Sequence, residues 1–245
     1  MQTIWQEDVF IKSFDVDFKN RLKINQLFNY MQETAGNHAE HLGWGYRDII
    51  KSSLIWVLSR VKVRMDEYPP WGSIIKVETW PKDTYRLFAT RDFIFRNESG
   101  GQIGAATTVW LLLDINTMRP QRVQNVQELY LENRDRHGLN EALEKLSREG
   151  TLVKTFERTV SYNDIDVNNH VNNARYVDWI LECFPAETLS DRHIGSLQLN
   201  YLSEAKSDEI ILISMYSDIN KTCYFLEGTN KASGLGVFQA RLELV

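Results

Sequence analysis

The sequence predicts an α+β fold built from two similar halves. Across the 245 residues, one order of elements occurs twice: a strand, a helix and then four strands. The helical stretches carry apolar residues three and four positions apart, and the strand-like runs are rich in Val, Ile, Trp and Phe. A helix followed by consecutive strands indicates helical and antiparallel layers packed on one core.

In the first half, a short strand from Ile4 to Ile11 leads to a helix from about Leu22 to Leu42. Gly43 ends this helix, as glycine commonly does. Turn signals such as Pro69–Pro70 and Ser99–Gly101 separate the strands that follow. These strands run from Leu54 to Met65, Ile74 to Pro81, Phe88 to Phe95 and Ile103 to Leu113.

The second half repeats the order. A strand from Leu152 to Tyr162 precedes a helix from about Asn172 to Phe184, which Pro185 ends. The helix buries a stripe formed by Tyr176, Ile180 and Phe184, widened by Val177 and Leu181. Strands follow at Ile194 to Tyr201, Ile210 to Tyr216, Thr222 to Thr229 and Gly236 to Glu243.

The stretch 125–150 is polar and strongly charged, so we interpret it as a linker between an N-terminal unit, 1–124, and a C-terminal unit, 151–245. A long helix packed on a curved antiparallel sheet is the organisation of a hotdog fold. The predicted architecture is therefore a tandem (double) hotdog fold.

Composition is that of an ordinary globular protein, with 43% hydrophobic and 25% charged residues. No apolar run approaches the roughly 18 residues of a membrane span. The acidic, polar start and the two cysteines favour a cytoplasmic protein. The net charge of −5 argues against nucleic acid as a partner.

Polar residues concentrate in NDIDVNNHVNNARYVDW, Asn163 to Trp179. If the approach to the helix is extended, alternate residues point the same way, and Asp166, Asn168 and His170 share one face. A carboxylate, an amide and an imidazole on one face are groups that a hydrolase needs. We therefore expect an active site here.

The helix start adds a second feature. The free N–H groups near Asn172 and Asn173, together with the positive end of the helix dipole, suit a developing oxyanion. Asp and Asn are also ordinary turn and cap residues, so each could simply start the helix. The cluster as a whole favours catalysis.

The chain resembles the acyl-acyl carrier protein thioesterases, the plant plastid enzymes and their bacterial relatives. The resemblance covers nearly the whole chain. It rests on QETAGNHAEHLG (Gln32 to Gly43), LIWVLSRVKVRMDEYPPWG (Leu54 to Gly72), VETW (Val77 to Trp80), TTVWLLLD (Thr107 to Asp114), DVNNHVNNARYVDWILECFP (Asp166 to Pro185) and LNYLSEA (Leu199 to Ala205).

The resemblance implies site residues. Asp166, Asn168 and His170 match the family's Asp-x-Asn-x-His, and Glu204 matches its glutamate in a Tyr-x-x-Glu-Cys setting. Ala205 stands where the family has cysteine. An alanine cannot attack a thioester, so the chain cannot use a cysteine nucleophile at this position.

The remaining cysteines, Cys183 and Cys223, are expected to be small buried hydrophobes. The expected route is therefore attack by water. Glu204 with His170 accepts the proton, Asn168 holds the substrate or the water, and Asp166 orients its neighbours. The sequence leaves open which carboxylate, Glu204 or Asp166, activates the water.

The resemblance implies that the first half shapes an acyl pocket, with Trp44, Trp56, Trp80 and Trp110 as candidates for its lining. His38 and His41 are interpreted as histidines on the polar face of the helix, and no metal site is expected, because their spacing is not that of a zinc motif. No dinucleotide or phosphate-loop motif occurs, so no cofactor is expected.

The expected partner is acyl carrier protein bearing an acyl-phosphopantetheine group. Three alternatives stay open: hydrolysis of acyl-coenzyme A at the same site, a non-catalytic acyl-binding module, and a hotdog dehydratase, whose sequence pattern is not seen. The sequence also leaves open acyl chain length, saturation preference and association into a homodimer.

Overall fold

The computed structural model describes residues 2–123, 133 and 135–245, and the chain divides into two compact units, Met1–Leu143 and Glu144–Val245. The division falls within the predicted linker, 125–150. Residues 125–132 and 134 of that region, and residue 124 before it, lie outside the described residues. The described residues 135–150 contain neither helix nor strand.

The first unit is one antiparallel sheet with a long helix. Its main elements are β1 (Trp5–Phe10), α1 (Ile24–His41), β2 (Leu54–Met65), β3 (Ile74–Tyr85), β4 (Phe88–Arg96) and β5 (Gln102–Asp114). The strand order is β1-β3-β4-β5-β2. All five predicted strands and the helix are confirmed. The sequence did not predict the short α2 (Tyr46–Ile49) and the two-residue β6 (Pro120–Gln121).

The second unit repeats this topology. Its elements are β7 (Thr151–Thr159), α3 (Asn173–Glu182), α4 (Ala186–Asp191), β8 (Ile194–Tyr201), β9 (Ile210–Ser217), β10 (Cys223–Asn230) and β11 (Gly236–Leu244). The order β7-β9-β10-β11-β8 matches that of the first unit. The sequence did not predict α4, which begins directly after Pro185, its N-cap; α3 already ends at Glu182, with Cys183 as its C-cap.

The helix α1 contacts β1 and β3. His38, which we expected on the polar face of this helix, is instead fully buried. Its Nε2 lies 3.1 Å from the Gln2 carbonyl oxygen, and its Nδ1 lies 3.0 Å from an Arg91 nitrogen. Burial and the Arg91 charge lower the pKa of His38 to about 4, so it is neutral at pH 7.

A buried carboxylate stands before the helix in the second unit. Asp164 is 3% exposed. Its Oδ2 accepts from the Ser161 N–H and hydroxyl, both at 2.8 Å, and its Oδ1 lies 3.4 Å from the Trp179 Nε1 of α3. This one side chain therefore joins the segment before the turn to the body of the helix.

The first unit contains the same arrangement. Asp15 is 2% exposed, and its Oδ2 accepts from the Lys12 N–H at 2.8 Å and from the Tyr30 hydroxyl of α1 at 2.6 Å. The two units thus use an equivalent buried aspartate to attach the helix to the preceding segment.

None of the helices that the structure describes has the length and apolar character needed to cross a membrane.

Replacing Asp164 with alanine is expected to destabilise the protein. The change strands the Ser161 N–H and removes one of the two carboxylate partners of the Arg158 guanidinium, which lies 3.4 Å from Asp164 and 3.2 Å from Glu182. We therefore expect the free energy of unfolding to fall by about 3 kcal/mol in urea titrations. The exposed Asp191 is the control, with a change within about 0.5 kcal/mol on Asp191→Ala.

The same carboxyl should contribute to acid sensitivity. Burial raises the pKa of Asp164, but the Ser161 donors and the Arg158 guanidinium outweigh burial and hold the pKa below its ordinary value of 3.8. Its stabilisation is therefore complete above the ordinary pKa and is lost as the pH falls through the lower folded-state pKa. Asp164→Ala should lose less stability than the parent protein over that range. An equal loss in both proteins would contradict this assignment.

Candidate active site

The approach to α3 is a tight turn. Ile165 and Val171 pair as an isolated antiparallel bridge. Inside it, the Asp166 N–H donates to the His170 carbonyl at 2.8 Å, and Asn169 has a left-handed φ of 61°. The prediction of an extended approach is therefore wrong, because the chain reverses direction between the two bridged residues. The rule that alternate residues share one face does not apply within this turn.

Asp166 supports the turn with its side chain. Its Oδ1 accepts from the Asn168 N–H at 2.8 Å, and its carbonyl accepts from the Asn169 N–H at 3.0 Å. Asn168 is exposed, so its amide faces solvent rather than the core. The structure thus gives Asp166 a local structural role next to a polar group that a ligand can reach.

His170 and Glu204 meet. The His170 Nε2 lies 3.1 Å from the Glu204 Oε2, and the two side chains are 38% and 37% exposed. Glu204 follows β8 in a segment anchored to β11: the Leu202 and Ser203 N–H groups donate to the Val237 carbonyl at 2.8 and 3.2 Å. The fold therefore brings together an imidazole and a carboxylate that are distant in sequence, and leaves both accessible to water.

We expected free backbone N–H groups at the start of α3, near Asn172 and Asn173, and Asn172 differs from this expectation. The Asn172 N–H donates to the Asp164 carbonyl at 2.8 Å, and the Asn172 side chain caps the helix by accepting from the Ala174 N–H at 2.9 Å. Asn172 is thus the helix cap, and its own N–H is occupied. Among the described residues, the Asn173 N–H meets no acceptor.

Two tyrosines lie beneath the site and were not recognised as part of it. Burial raises the pKa of Tyr176, and a hydrogen bond with the Ala205 backbone lowers it. The nearby carboxylates of Glu204, Glu209 and Asp166 raise the pKa further. Its hydroxyl therefore stays protonated beside these negative groups. The other, Tyr201, ends β8. The sequence signal was available in their positions, within the first turns of α3 and three residues before Glu204.

Neither cysteine is suited to act as a nucleophile. Cys183 is buried, its Sγ lies 3.2 Å from the Trp179 carbonyl, and burial raises its pKa to about 12. Burial also raises the pKa of Cys223, despite the Arg241 charge. Both thiols are therefore protonated at neutral pH, whereas a nucleophilic cysteine reacts as the thiolate. Within the described part of the chain, no group of three or more His, Cys, Asp or Glu side chains could hold a metal ion.

The first unit contains the same turn without the same chemistry. The Asp17 N–H donates to the Arg21 carbonyl at 2.8 Å, Asn20 has a φ of 60°, and the Asp17 Oδ1 accepts from the Lys19 N–H at 2.9 Å. Each has a counterpart in the second unit, and the first unit adds a bond from the Arg21 N–H to the Asp17 Oδ1 at 2.9 Å. The turn is therefore a feature of the fold in both units.

The polar groups of the site are not repeated. After β2, the Asp66 and Glu67 N–H groups donate to the Ile103 carbonyl at 2.9 and 3.2 Å, which makes Tyr68 the equivalent of Glu204. Lys19 takes the place of Asn168, Arg21 that of His170 and Tyr68 that of Glu204. The second unit alone therefore presents an imidazole–carboxylate pair at this point of the fold.

Comparison with known proteins agrees with this architecture. Residues 2–130 match the model of the acyl-ACP thioesterase N-terminal domain, and residues 149–240 match that of the C-terminal domain. The palmitoyl-acyl carrier protein thioesterase of Gossypium hirsutum is 32% identical over 232 residues, which are 89% of this chain and 56% of that protein. The corresponding Arabidopsis thaliana protein is 31% identical over 222 residues, 85% of this chain and 54% of its own length. The chain thus spans little more than half the length of these relatives.

Solved structures extend the similarity to the whole fold. An acyl-ACP thioesterase from Bacteroides thetaiotaomicron superposes with a TM-score of 0.88 at 28% identity, covering 99% of this chain and 98% of that one. A 12:0-ACP thioesterase from Umbellularia californica gives a TM-score of 0.88 at 26% identity, covering 100% and 98%. The chain therefore belongs to the acyl-ACP thioesterase family and has its tandem hotdog fold.

Proposed function

We propose that this protein hydrolyses fatty acyl thioesters of acyl carrier protein, releasing free fatty acid and the carrier thiol in fatty acid biosynthesis. The observation that carries the proposal is the 3.1 Å contact between His170 and Glu204, which lies at the end of the turn that leads into α3. The named activities of the similar proteins support the choice of substrate.

In the proposed reaction, water is the nucleophile. His170 donates from Nε2 to Glu204 and orients the carboxylate. Glu204 then takes a proton from water as the oxygen attacks the thioester carbonyl. The tetrahedral intermediate collapses by breaking the carbon–sulfur bond, and the leaving thiolate takes up the proton that Glu204 removed from water. A thiolate is a good leaving group, so water activation and charge stabilisation dominate the barrier.

The helix start supplies the charge stabilisation. The Asn173 N–H is the donor that α3 leaves open, and it lies at the positive end of the helix dipole. The exposed amide of Asn168 is the second polar group, and it holds the water or the substrate carbonyl. Asp166 acts by shaping the turn that presents both Asn168 and His170.

We propose that the acyl chain lies in the first unit. Trp44, Trp56 and Trp110 are partly buried against an apolar cluster of Ile49, Ala89, Leu112 and Val123. Trp80 does not belong to this set: it is fully buried, and the Arg136 guanidinium lies 4.5 Å from its ring centroid. Partial exposure of apolar rings is the property expected of a binding surface.

The cellular compartment and the assembly state stay predictions. Cys183 and Cys223 are free thiols, which fits the reducing cytoplasm proposed from composition, whereas the curated plant relatives are chloroplastic. Hydrolysis of acyl-coenzyme A at the same site is the alternative for the carrier.

The proposed function is tested by thiol release from C8 to C18 acyl carrier protein thioesters and matching acyl-coenzyme A thioesters. We expect release from the carrier protein, with a maximum at one chain length. Glu204→Gln and His170→Ala should each lower kcat by about 100-fold or more, the usual contribution of a general base, while the exposed Glu187→Gln control stays unchanged.

Each other result has a definite meaning. Thiol release from acyl-coenzyme A alone would support the proposed mechanism but identify coenzyme A, not acyl carrier protein, as the carrier. No release from either carrier would point to an acyl-binding module. Normal turnover in both Glu204→Gln and His170→Ala would refute the proposed mechanism.

Two substitutions of Asp166 distinguish its hydrogen bond in the turn from its negative charge. Asparagine retains an oxygen that can accept from the Asn168 N–H, whereas alanine does not. We expect kcat/KM to fall about tenfold further in Asp166→Ala than in Asp166→Asn, the equivalent of one hydrogen bond. Asp17→Ala removes the corresponding bond from the first unit, together with those that Asp17 accepts from Arg21, and should leave kcat unchanged. Equal losses in the two Asp166 variants would assign the charge a direct part in the reaction.

Replacing Trp110 with leucine enlarges the apolar cluster. We expect the chain-length maximum to move towards longer acyl chains, with kcat on the best substrate within about threefold of the parent, because the imidazole–carboxylate pair is untouched. Trp71 is 59% exposed, and Trp71→Ala serves as the control. An unchanged chain-length profile in Trp110→Leu would remove this cluster as the acyl site.

A further inference from the structure

A side-chain hydrogen bond joins the start of α3 to the strand that leads to Glu204. The Tyr201 hydroxyl donates to the Asn173 carbonyl at 2.9 Å. Tyr201 is the last residue of β8 and precedes Glu204 by three positions, whereas Asn173 is the first residue of α3. The bond therefore connects the residue with the open N–H to the segment that carries the carboxylate.

The surroundings of Tyr201 hold this bond in place. Its ring packs edge-on against Tyr176 of α3, with centroids 5.3 Å apart. Burial raises the pKa of Tyr201, so the hydroxyl keeps the proton that it donates. Between Tyr201 and Glu204, the Ser203 hydroxyl donates to the Gly236 carbonyl at 2.8 Å. The residues that lead to Glu204 are thus fixed to α3 at Tyr201 and to β11 at Ser203.

The first unit shows that the fold does not need this hydroxyl. Its matching strand, β2, ends at Met65, and the same pair of backbone bonds to the Ile103 carbonyl follows. Met65 has no donor, and its unit still has the same turn, helix and strand order. Tyr201 therefore occurs in the unit that has the imidazole–carboxylate pair. Its equivalent, Met65, occurs in the unit that has Arg21 and Tyr68 in place of that pair.

We propose that Tyr201 is a positioning residue for the hydrolysis reaction: its hydroxyl holds the first residue of α3 at a fixed distance from Glu204. This inference rests on the proposed function of the site. Reaction geometry depends on this distance, because the water held by Glu204 must reach a carbonyl whose oxygen lies at the Asn173 N–H. Tyr201 itself does not touch the reacting atoms.

The test compares Tyr201→Phe with Tyr216→Phe. Both changes remove one hydroxyl that donates within the second unit; Tyr216 bonds to Glu227 at 3.2 Å, away from the site. On the acyl carrier protein thioester, we expect Tyr201→Phe to lower kcat about tenfold, the kinetic equivalent of one hydrogen bond, with KM within about twofold. Tyr216→Phe should change neither parameter.

A second background shows whether Tyr201 acts through Glu204. In Glu204→Gln, further replacement of Tyr201 by phenylalanine should lower kcat by less than about threefold, since no carboxylate remains to be placed. Full additivity, an unchanged kcat in Tyr201→Phe, or a rise in KM alone would overturn the proposal.

Amide hydrogen exchange gives a readout that needs no activity. In Tyr201→Phe, residues 173–176 and 202–205 should exchange faster than in Tyr216→Phe, because one of the hydrogen bonds that join the two segments is lost. Equal exchange in the two variants would overturn the proposal. Absence of thioester hydrolysis in the parent protein would instead refute the proposed function, and the exchange result would still decide whether the hydroxyl holds the two segments together.

Discussion

The placement of the candidate site depends on the turn that precedes each helix. In the second unit, a buried aspartate, Asp164, fixes the chain before the turn, and a left-handed asparagine, Asn169, lets it reverse within a few residues. A left-handed backbone suits asparagine better than most side chains. The next element then starts abruptly, so that His170 stands two residues before the helix cap, Asn172. Without this constraint, an imidazole at position 170 would have no defined relation to the end of β8.

The two units provide an internal comparison that separates the requirements of folding from those of chemistry. Features present in both, such as the buried aspartate, Asp17 or Asp166 in the turn and the left-handed asparagine, are needed to make the helix entrance. Features present only in the second, the imidazole, the carboxylate and the tyrosine at the end of β8, are not. The two units thus share one turn, but its side chains differ: Lys19 and Arg21 stand in the first unit where Asn168 and His170 stand in the second.

Much of the fold could be predicted from the sequence, and less of the site. The bounds of β2 and β8 were predicted to the residue, because runs of β-branched and aromatic residues between turn signals are local patterns. That His170 and Glu204 act together was predicted only from the family resemblance, because no local sequence pattern links the two residues. The turn was missed because Asn169 can be extended or left-handed, and the sequence does not decide between them. His38 was misplaced because its burial depends on Arg91 and Gln2, which are distant in sequence.

The substitution of Ala205 for the family's cysteine is consistent with attack by water. Ala205 is fully buried in this chain, directly after an exposed Glu204, so position 205 faces the packed interior and position 204 faces solvent. A hydrolytic site needs a base that water can reach, and partial exposure provides this access, whereas a nucleophilic thiol needs an exposed, electropositive position. Because side chains 204 and 205 point in opposite directions, only the Glu204 carboxylate is accessible to solvent. The reaction that this arrangement supports is therefore activation of water rather than formation of an acyl-enzyme.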